Sequence, residues 1–416
     1  MNEGNLPPTN PIQTMIPMDL RKYHGLPAPR EKQGIFAHHF YRLLHHCEEL
    51  HVTYCSADES IGSNEPSRYL MQLEMELSRI NPNVSIQKKI YALDATKEQM
   101  LKEINKTPEI ISRLDELFAA STSASMLKKY LTCPLDFYFR YVMDFGEADN
   151  VEEEIEHSTF GTFIHNTLEE LYLPFARYSA DGELQSPPPK NITSLDIEQM
   201  LKNYKVVLYN QFMKHFNSDK EAFMKGKNLL SYQMAMELTE RFLKSEIKFL
   251  AQQSEPVFIE ALEREYAAEI EIDVHGTPKK VKLRGFIDRI DSIGDRIRIV
   301  DYKSGKVNPS DVALRNSDQT AELIVESIAN KKHVLQLMLY AFLYYTNEHK
   351  IAEPNIISFV SANNEPFSLD TKKQTLQEII EAFPDYIARI LEDIYEEDTS
   401  FQHQVKGQYS YCQYCE

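Results

Sequence analysis

Two hydrophobic periodicities divide the chain. Apolar residues recur every three or four positions through much of residues 35–252, which predicts helices. From Ile259 to Asp301 the period changes to two, and turn residues at His275-Gly276 and Ile293-Gly294-Asp295 separate three alternating runs. We therefore expect an antiparallel three-stranded meander that follows a largely helical region.

The same patterns predict the remaining elements. Helices are expected over residues 35–50, 67–80, 126–133, 135–145, 160–178, 194–216, 219–252, 333–345 and 371–395. Strands are expected over residues 51–54, 84–93, 267–274, 281–290, 297–300 and 356–361. Residues 1–30 carry six prolines and are expected to form a disordered linker.

Together these elements predict an α/β (α+β) fold. A central mixed sheet with an antiparallel meander, flanked by helices, occupies a domain over residues 121–416, and residues 194–252 form a large helical insertion. Residues 31–120 form a separate, helical N-terminal region.

Composition narrows the class of protein. No run of about 18 apolar residues is present, so no membrane span is expected. The segment from Met1 to Met18 has neither an apolar centre nor basic flanks, so it does not resemble a signal peptide, and we expect a cytoplasmic protein. Five cysteines in 416 residues are too few for a disulfide framework, and Cys47 and Cys55 are expected to be ordinary buried thiols.

Charge is unevenly distributed. The net charge of −18 argues against a nucleic-acid-binding protein at first sight. Six of the ten residues from Glu147 to Glu156 are acidic, whereas Lys279 to Lys306 holds nine Lys and Arg against four Asp. This basic stretch is able to form a phosphate-binding face, with Arg289 and Lys306 as candidate DNA contacts.

The segment from Arg284 to Lys306, RGFIDRIDSIGDRIRIVDYKSGK, carries the candidate chemistry. A hairpin turn lies midway between Asp288 and Asp301, so strand pairing can bring the two carboxylates together. Asp301 and Lys303 are two apart on one strand and point to the same face. Two carboxylates suit a hard divalent cation, which activates water for phosphodiester hydrolysis, and a lysine can balance the developing charge. The alternative to a catalytic site is a surface hairpin whose charged side chains form ion pairs.

Two further signals accompany this hairpin. His165 ends the string Gly161-Thr-Phe-Ile-His on a predicted helix, although a lone surface histidine is the ordinary reading. Gln336 and Tyr340 are spaced i and i+4, so they share a helix face, although Tyr340 also suits the apolar stripe of that helix.

Together these strings resemble the RecB-type branch of the PD-(D/E)XK nucleases. The order G-x-x-x-H, G-x-x-D-R-x-D, D-Y-K and Q-x-x-x-Y is complete, and the resemblance covers about residues 121–416. It implies a restriction-endonuclease-like fold in which His165, Asp288, Asp301 and the Tyr302 carbonyl bind the metal and Lys303 is the catalytic lysine. Gln336 and Tyr340 would position the DNA strand or the lysine.

Glu265 is an additional candidate. It lies in the string Glu263-Arg-Glu265-Tyr on the first strand of the meander and could join the acidic pocket. The alternative is an ordinary glutamate on a strand surface.

Three cysteines match a further property of the family. Some members hold a [4Fe–4S] cluster with one cysteine before the nuclease core and three after it, and Cys133, Cys412 and Cys415 match three of these positions. Because such a cluster takes four thiolates, the chain either ends before the last cysteine or lacks the cluster. Three cysteines alone could hold a labile cluster, a zinc ion or nothing.

Residues 34–73 resemble the end of a superfamily 1 helicase motor, as found before the nuclease domain in AddB-like subunits of helicase–nucleases. The alternative is a small helical accessory region. The chain contains no G-x-x-x-x-G-K-[ST] loop, so we do not expect it to hydrolyse ATP as a P-loop motor does.

The resemblance implies a metal-dependent DNA exonuclease that uses Mg²⁺ or Mn²⁺. It would be the nuclease part of a helicase–nuclease in double-strand break repair and recombination, with DNA and a partner subunit as its partners. The alternative is a non-catalytic DNA-binding scaffold subunit, which should have lost Asp288, Asp301 or Lys303. A structural iron–sulfur or zinc protein is a third reading, with only three candidate ligands.

Overall fold

The structure is a computed structural model. It describes residues 18–25, 29–45, 47–54, 66–89, 103–145, 155–178, 184, 190–314, 321–361, 364–372 and 374–403. The chain divides into two compact units, Met1–Lys97 and Glu98–Glu416. The division falls earlier than the boundary expected at residue 120, because helix Pro108–Ala120 packs against the sheet of the second unit.

The described part of the first unit is helical. Its helices are α1 (Met18–Tyr23), α2 (Pro29–Leu43), α3 (Arg68–Gln72) and α4 (Ser78–Ile80), and a π-helical segment, Leu73–Leu77, joins α3 to α4. Phe40 stacks on Tyr69 with ring centroids 5.0 Å apart, and Leu73 completes a small apolar core.

The first unit differs from the expectation in two ways. Helix α1 lies within the segment that was expected to be disordered, the rest of which falls largely outside the described residues. The strands expected at 51–54 and 84–93 are wrong for residues 51–54 and 84–89, which form no strand, and residues 90–93 are not described.

The second unit contains eight strands and ten helices among its described residues. The elements before the meander are β1 (Glu103–Ile104), α5 (Pro108–Ala120), α6 (Ala124–Thr132), α7 (Pro134–Phe137), α8 (His157–Tyr172), β2 (Ala176–Tyr178), α9 (Ser194–His215) and α10 (Gly226–Gln252). The meander and the elements after it are β3 (Val257–Val274), β4 (Thr277–Ile293), β5 (Arg296–Lys303), α11 (Ala321–Asn330), α12 (Val334–Glu348), β6 (Ala352–Ser358), β7 (Pro366–Ser368), α13 (Leu376–Glu381), α14 (Phe383–Tyr395) and β8 (Phe401–Gln402).

A mixed six-stranded sheet is the centre of this unit, with strand order β2-β3-β4-β5-β6-β7. Strands β3, β4 and β5 form the expected antiparallel meander, while β2 pairs parallel to β3 and β6 pairs parallel to β5. The turn between β3 and β4 requires positive φ at both central residues, and His275 (51°) and Gly276 (79°) adopt it. The predicted α/β (α+β) fold is therefore confirmed.

Helices cover both faces of the sheet. Helices α5, α6, α12 and α14 pack on one face in an apolar core that includes Leu283, Ile299 and Met338. Helices α8, α9 and α10 pack on the other face, around Val300 and Phe359. Because β5 and β6 are covered on both sides, almost every one of their residues is buried, rather than every second one. None of the described helices is long and apolar enough to cross a membrane.

Some predicted element ends are wrong. The helix expected over residues 160–178 ends at Tyr172, because Pro174 cannot continue the helical hydrogen bonds, and Ala176–Tyr178 form β2 instead. The helix expected over residues 371–395 is two helices, α13 and α14, with Pro384 in the first turn of the second. The segment Tyr138–Val142 within the expected helix 135–145 is π-helical.

A buried ion-pair network joins the helical insertion to the meander. The Arg289 side chain, which is fully buried, donates to Asp291 Oδ1 at 2.6 Å and to Glu246 Oε2 on α10 at 2.7 Å. Arg298 on β5 donates to the other Asp291 oxygen at 2.5 Å. Burial alone would raise the pKa of Asp291, but the two guanidinium groups hold it below its usual value. The charges therefore compensate one another inside the protein.

Removing one member of this network should destabilise the second unit. We expect Arg289→Met to lower the free energy of unfolding by about 3–5 kcal/mol, because Glu246 and Asp291 would keep buried charges without this partner. Denaturant unfolding followed by circular dichroism measures the change.

Arg296→Met is the matched control. Arg296 is 53% exposed and lies 3.8 Å from Glu353 on the surface, so its loss should change stability by only about 0–1 kcal/mol. Equal effects of the two substitutions would contradict the structural role assigned to the network.

Candidate active site

The ends of two neighbouring strands bring the predicted carboxylates together. Arg289 on β4 pairs with Val300 on β5, so Asp288 and Asp301 follow directly at the next position of each strand. Asp288 is 9% exposed and Asp301 is 1% exposed. The backbone amide of Tyr302 donates to Asp288 Oδ2 at 2.7 Å, which fixes one carboxylate against the strand that carries the other.

Asp301 is held by the other predicted residues. The Lys303 Nζ lies 2.6 Å from Asp301 Oδ2, and the Gln336 Nε2 donates to Asp301 Oδ1 at 2.9 Å. The same Gln336 nitrogen lies 2.8 Å from the Tyr340 hydroxyl, one turn further along α12. Gln336 thus links Asp301 to Tyr340, as their shared helix face predicts.

His165 approaches from helix α8. Its Nδ1 lies 3.5 Å from Asp288 Oδ2 and 3.9 Å from Glu263 Oε1 on β3. Gly161, one turn earlier, allows α8 to come close to the loop after β5, since a Cβ at this position would stand 3.1 Å from the Ser304 hydroxyl oxygen. The first glycine motif therefore serves the approach of α8 to the site.

Gly285 has a similar role on β4. A Cβ at this position would stand 2.8 Å from Cε1 of Tyr340 and 3.2 Å from Leu343 Cδ1, closer than real Cβ atoms approach a ring. The glycine of the G-x-x-D string therefore makes room for the ring that contacts Gln336.

The buried charges shift the pKa values of the site. Burial first, and the nearby Asp301 second, raise the pKa of Asp288 to about 7. Burial alone would lower the pKa of His165 and of Lys303, but Glu263 and Asp288 raise that of His165, and Asp301 raises that of Lys303. The neighbouring carboxylates therefore favour the protonated forms of His165 and Lys303.

The donor set fits a divalent metal ion. One ligand atom each from His165, Glu263 and Asp288 lies within 4.8 Å of the others. These are two carboxylate oxygens and an imidazole nitrogen. Mg²⁺ prefers the oxygen ligands, whereas Mn²⁺ binds the imidazole nitrogen more readily than Mg²⁺ does. Among the residues that the structure describes, this is the one group of three such side chains with that geometry.

Two candidate residues lie away from this cluster. Glu265 points to Arg284, whose Nε lies 3.5 Å from its Oε1, and its side chain is 44% exposed, so the acidic side chain contributed by β3 is Glu263 instead. Arg289 is wrongly assigned as a DNA contact, because it is completely buried in the ion-pair network. Lys306 is exposed in the loop after β5 and stays a candidate contact.

Glu263 was missed by sequence reasoning. In a regular strand, residues 263 and 265 share a face, and nothing in the sequence separates them. Glu263 has a positive φ of 46°, a conformation that sequence does not announce at a glutamate.

Of the three candidate cluster cysteines, the structure describes Cys133. It is fully buried between α6 and α7, and its Sγ lies 3.6 Å from His403 Nδ1. Cys412 and Cys415 lie outside the described residues, as does Cys55. Cys47 is exposed, so the expectation of a buried thiol is wrong there.

Comparison with protein families gives a match over most of the chain. The family described as the PD-(D/E)XK nuclease superfamily matches residues 121–416, which include His165, Asp288, Asp301 and Lys303.

Individual relatives are more distant. An "Uncharacterized protein" of Rickettsia felis is 26% identical over 219 residues, which cover 51% of this chain and 21% of the relative. The chain thus spans about a fifth of that protein's length. A crystal structure of a "Putative exonuclease" from Eubacterium rectale aligns with 72% of this chain and 90% of its own at 13% identity and a TM-score of 0.31, too low to carry an argument.

The raised pKa of Asp288 makes metal binding depend on pH. In the metal-free protein Asp288 is protonated below about pH 7, and a bound cation requires the carboxylate. We expect Mn²⁺ binding at pH 6 to release protons from both Asp288 and His165, because each binds a cation only in its deprotonated form, and we expect Mn²⁺ affinity to fall as the pH is lowered below 7. Titration calorimetry in buffers of different ionisation enthalpy measures both effects.

Asp288→Asn is the control, since it should bind Mn²⁺ weakly and without the proton that Asp288 releases. The change of folding stability with pH should have the opposite sign to that caused by an ordinary ion-paired aspartate. Because the folded pKa lies above the ordinary value of 3.8, the metal-free protein should lose stability relative to Asp288→Asn as the pH rises from about 4 to 7. Proton uptake on metal binding would contradict this account.

Proposed function

Because the chain belongs to the PD-(D/E)XK nuclease superfamily, we propose that it is a metal-dependent deoxyribonuclease that hydrolyses phosphodiester bonds. The observation that carries the proposal is the convergence of Asp288, Asp301 and Lys303 at the ends of two paired strands. A non-catalytic scaffold would have no need to keep two buried carboxylates and a lysine in contact.

The residues of the chain have distinct tasks in this reaction. His165, Asp288, Asp301 and the Tyr302 carbonyl would hold the divalent cation, which as a Lewis acid would polarise the phosphate and lower the pKa of a water molecule. Lys303, whose ammonium lies 2.6 Å from Asp301, offsets the charge that develops on the phosphate. Gln336 keeps Asp301 in place through one hydrogen bond, and Tyr340 limits the movement of Gln336.

We propose linear DNA as the substrate and exonucleolytic cleavage as the mode. The support is the complete set of RecB-type strings, all of which contribute to the site: Gly161 and His165 from α8, Gly285 and Asp288 from β4, Asp301 and Lys303 from β5, and Gln336 and Tyr340 from α12. Lys306, which is exposed three residues after the catalytic lysine, would contact a phosphate of the bound strand.

We further propose that the chain is the nuclease part of a cytoplasmic helicase–nuclease that acts in double-strand break repair and recombination. The support is the resemblance of residues 34–73 to the end of a helicase motor. A partner subunit would then supply unwinding, and the nuclease unit would receive strand ends from it.

An iron–sulfur cluster on Cys133, Cys412 and Cys415 belongs to the same proposal. Cys133 is a buried thiol whose Sγ lies 3.6 Å from His403 Nδ1. A [4Fe–4S] cluster takes four thiolates, and these positions supply three. Iron and acid-labile sulfide analysis of protein purified without oxygen tests the cluster independently of nuclease activity.

Removal of the lysine tests the catalytic proposal. We expect Lys303→Met to lower the rate of digestion of end-labelled linear DNA by about 10²–10³-fold in Mg²⁺ or Mn²⁺, because one preorganised positive charge is lost. Chelation with EDTA should abolish digestion by the unmodified chain.

Lys350→Met is the matched control, since Lys350 is exposed in the turn between α12 and β6. It should digest DNA at the normal rate. Covalently closed circular DNA should resist the enzyme if cleavage starts from ends. Equal activity of the Lys303 and Lys350 variants would contradict the assignment, and metal binding without digestion would favour a scaffold subunit.

Gly285 provides a test of the contacts that run from Tyr340 through Gln336 to Asp301. We expect Gly285→Ala to reduce digestion by about tenfold or more, because its Cβ would displace the Tyr340 ring and loosen the Gln336–Asp301 contact. Gly305→Ala is the matched control beside the site, where a Cβ meets no atom within 4 Å. Equal activity of the two alanine variants would contradict this role of Tyr340.

A further inference from the structure

Glu263 is an acidic side chain of the site that none of the sequence strings includes. On β3, Leu262 pairs with Arg289 and Arg264 pairs with Ile287, so Glu263 lies across from Asp288 on the adjacent strand. Its Oε1 lies 3.9 Å from His165 Nδ1. Glu263 therefore faces both of the other side chains of the metal-fitting cluster.

The backbone of β3 turns this side chain toward the site. Leu262 packs in the core beneath α8 and α10, whereas Tyr266 packs in the core beneath α12 and α14. Residues four apart in a regular strand would face the same side. Glu263 lies between Leu262 and Tyr266 and has a positive φ of 46°. Because of this conformation, the side chains of Glu263 and Glu265 point in different directions.

The two glutamates consequently have different surroundings. Glu265 is 44% exposed and contacts Arg284. Glu263 is 30% exposed, and the basic group within ion-pair distance of it among the described residues is His165. Glu169, one turn after His165 on α8, adds a further negative charge nearby, since after burial the charge of Glu263 is the main factor that raises the Glu169 pKa. A cation bound next to Glu263 would offset this negative charge.

Asp301 lies outside the group of three side chains whose ligand atoms cluster. Its Oδ1 accepts from Gln336 and its Oδ2 contacts the Lys303 ammonium. The three side chains whose ligand atoms lie within 4.8 Å of one another are His165, Glu263 and Asp288.

We propose that Glu263 is a direct ligand of the catalytic metal ion, together with His165 and Asp288. This inference rests on the proposed nuclease function but assigns a residue that the family strings do not contain. Helix α8 and strands β3 and β4 then each contribute one ligand. The mixed nitrogen and oxygen set favours Mn²⁺ over Mg²⁺.

The binding of Mn²⁺ to the full chain, stripped of metal, tests this assignment. The free Mn²⁺ that remains in each titration is measured from its electron paramagnetic resonance signal. We expect Glu263→Gln to weaken Mn²⁺ binding by about tenfold or more, as loss of a metal-site group does. Glu265→Gln, two residues along the same strand, should bind within about twofold of the unmodified chain.

Glu263→Gly guards against loss of folding. Glycine adopts positive φ without strain, so this variant should fold at least as well as the unmodified chain while lacking the carboxylate. Thermal unfolding followed by circular dichroism checks the fold. Normal Mn²⁺ affinity in folded Glu263→Gln and Glu263→Gly would overturn the assignment.

The outcome is separable from that of the nuclease proposal. If the unmodified chain binds Mn²⁺ but does not digest DNA, and both Glu263 variants lose the metal, the ligand assignment stands and the nuclease proposal fails. If the chain digests DNA and the Glu263 variants bind Mn²⁺ normally, the nuclease proposal stands and the ligand assignment fails.

Discussion

The burial of negative charge at the ends of β4 and β5 is the constraint on which the site depends. Asp288 and Asp301 are 9% and 1% exposed and lie on adjacent strands, and both burial and the neighbouring Asp301 raise the pKa of Asp288. Lys303 offsets part of this charge, and His165 offsets a further part. A divalent cation would offset the remainder, which is consistent with the gathering of these groups from three different elements and with the glycines that let α8 and Tyr340 come close. The same burial that disfavours the ionised Asp288 carboxylate in the metal-free protein strengthens its attraction for a cation.

In the neighbouring ion-pair network the charges are also buried, but there they compensate one another. Arg289 and Arg298 face Asp291 and Glu246, so each buried charge has a partner of opposite sign. The Arg289 NH1 also lies 3.3 Å from the Tyr302 hydroxyl, while the Tyr302 amide contacts Asp288. Asp288 and Arg289 thus have different roles although they are adjacent in sequence. Asp288 belongs to the cluster that fits a metal ion, whereas Arg289 binds Glu246 of the helical insertion to the strand that carries the site.

Sequence reasoning predicted the parts of the site that depend on regular geometry. Strand alternation placed Asp301 beside Lys303, helical spacing placed Gln336 beside Tyr340, and the turn at Gly294 predicted that Asp288 faces Asp301. It could not separate Glu263 from Glu265, because a positive φ at a non-glycine residue depends on tertiary packing. It also could not recognise that Arg289 is buried, since the same string suits a surface contact. The early end of α8 was predictable from Pro174, which the expected helix over residues 160–178 did not take into account.

The position of the metal ion tests the central claim most directly. Crystals of the full chain grown with Mn²⁺ would locate the ion by anomalous scattering, without any assumption about activity. We predict one strong peak at bonding distance from Asp288 and His165, next to the Asp301–Lys303 pair. A protein that digests DNA in Mn²⁺ but places the ion elsewhere, with Asp288 and His165 lacking a bound metal, would contradict the account.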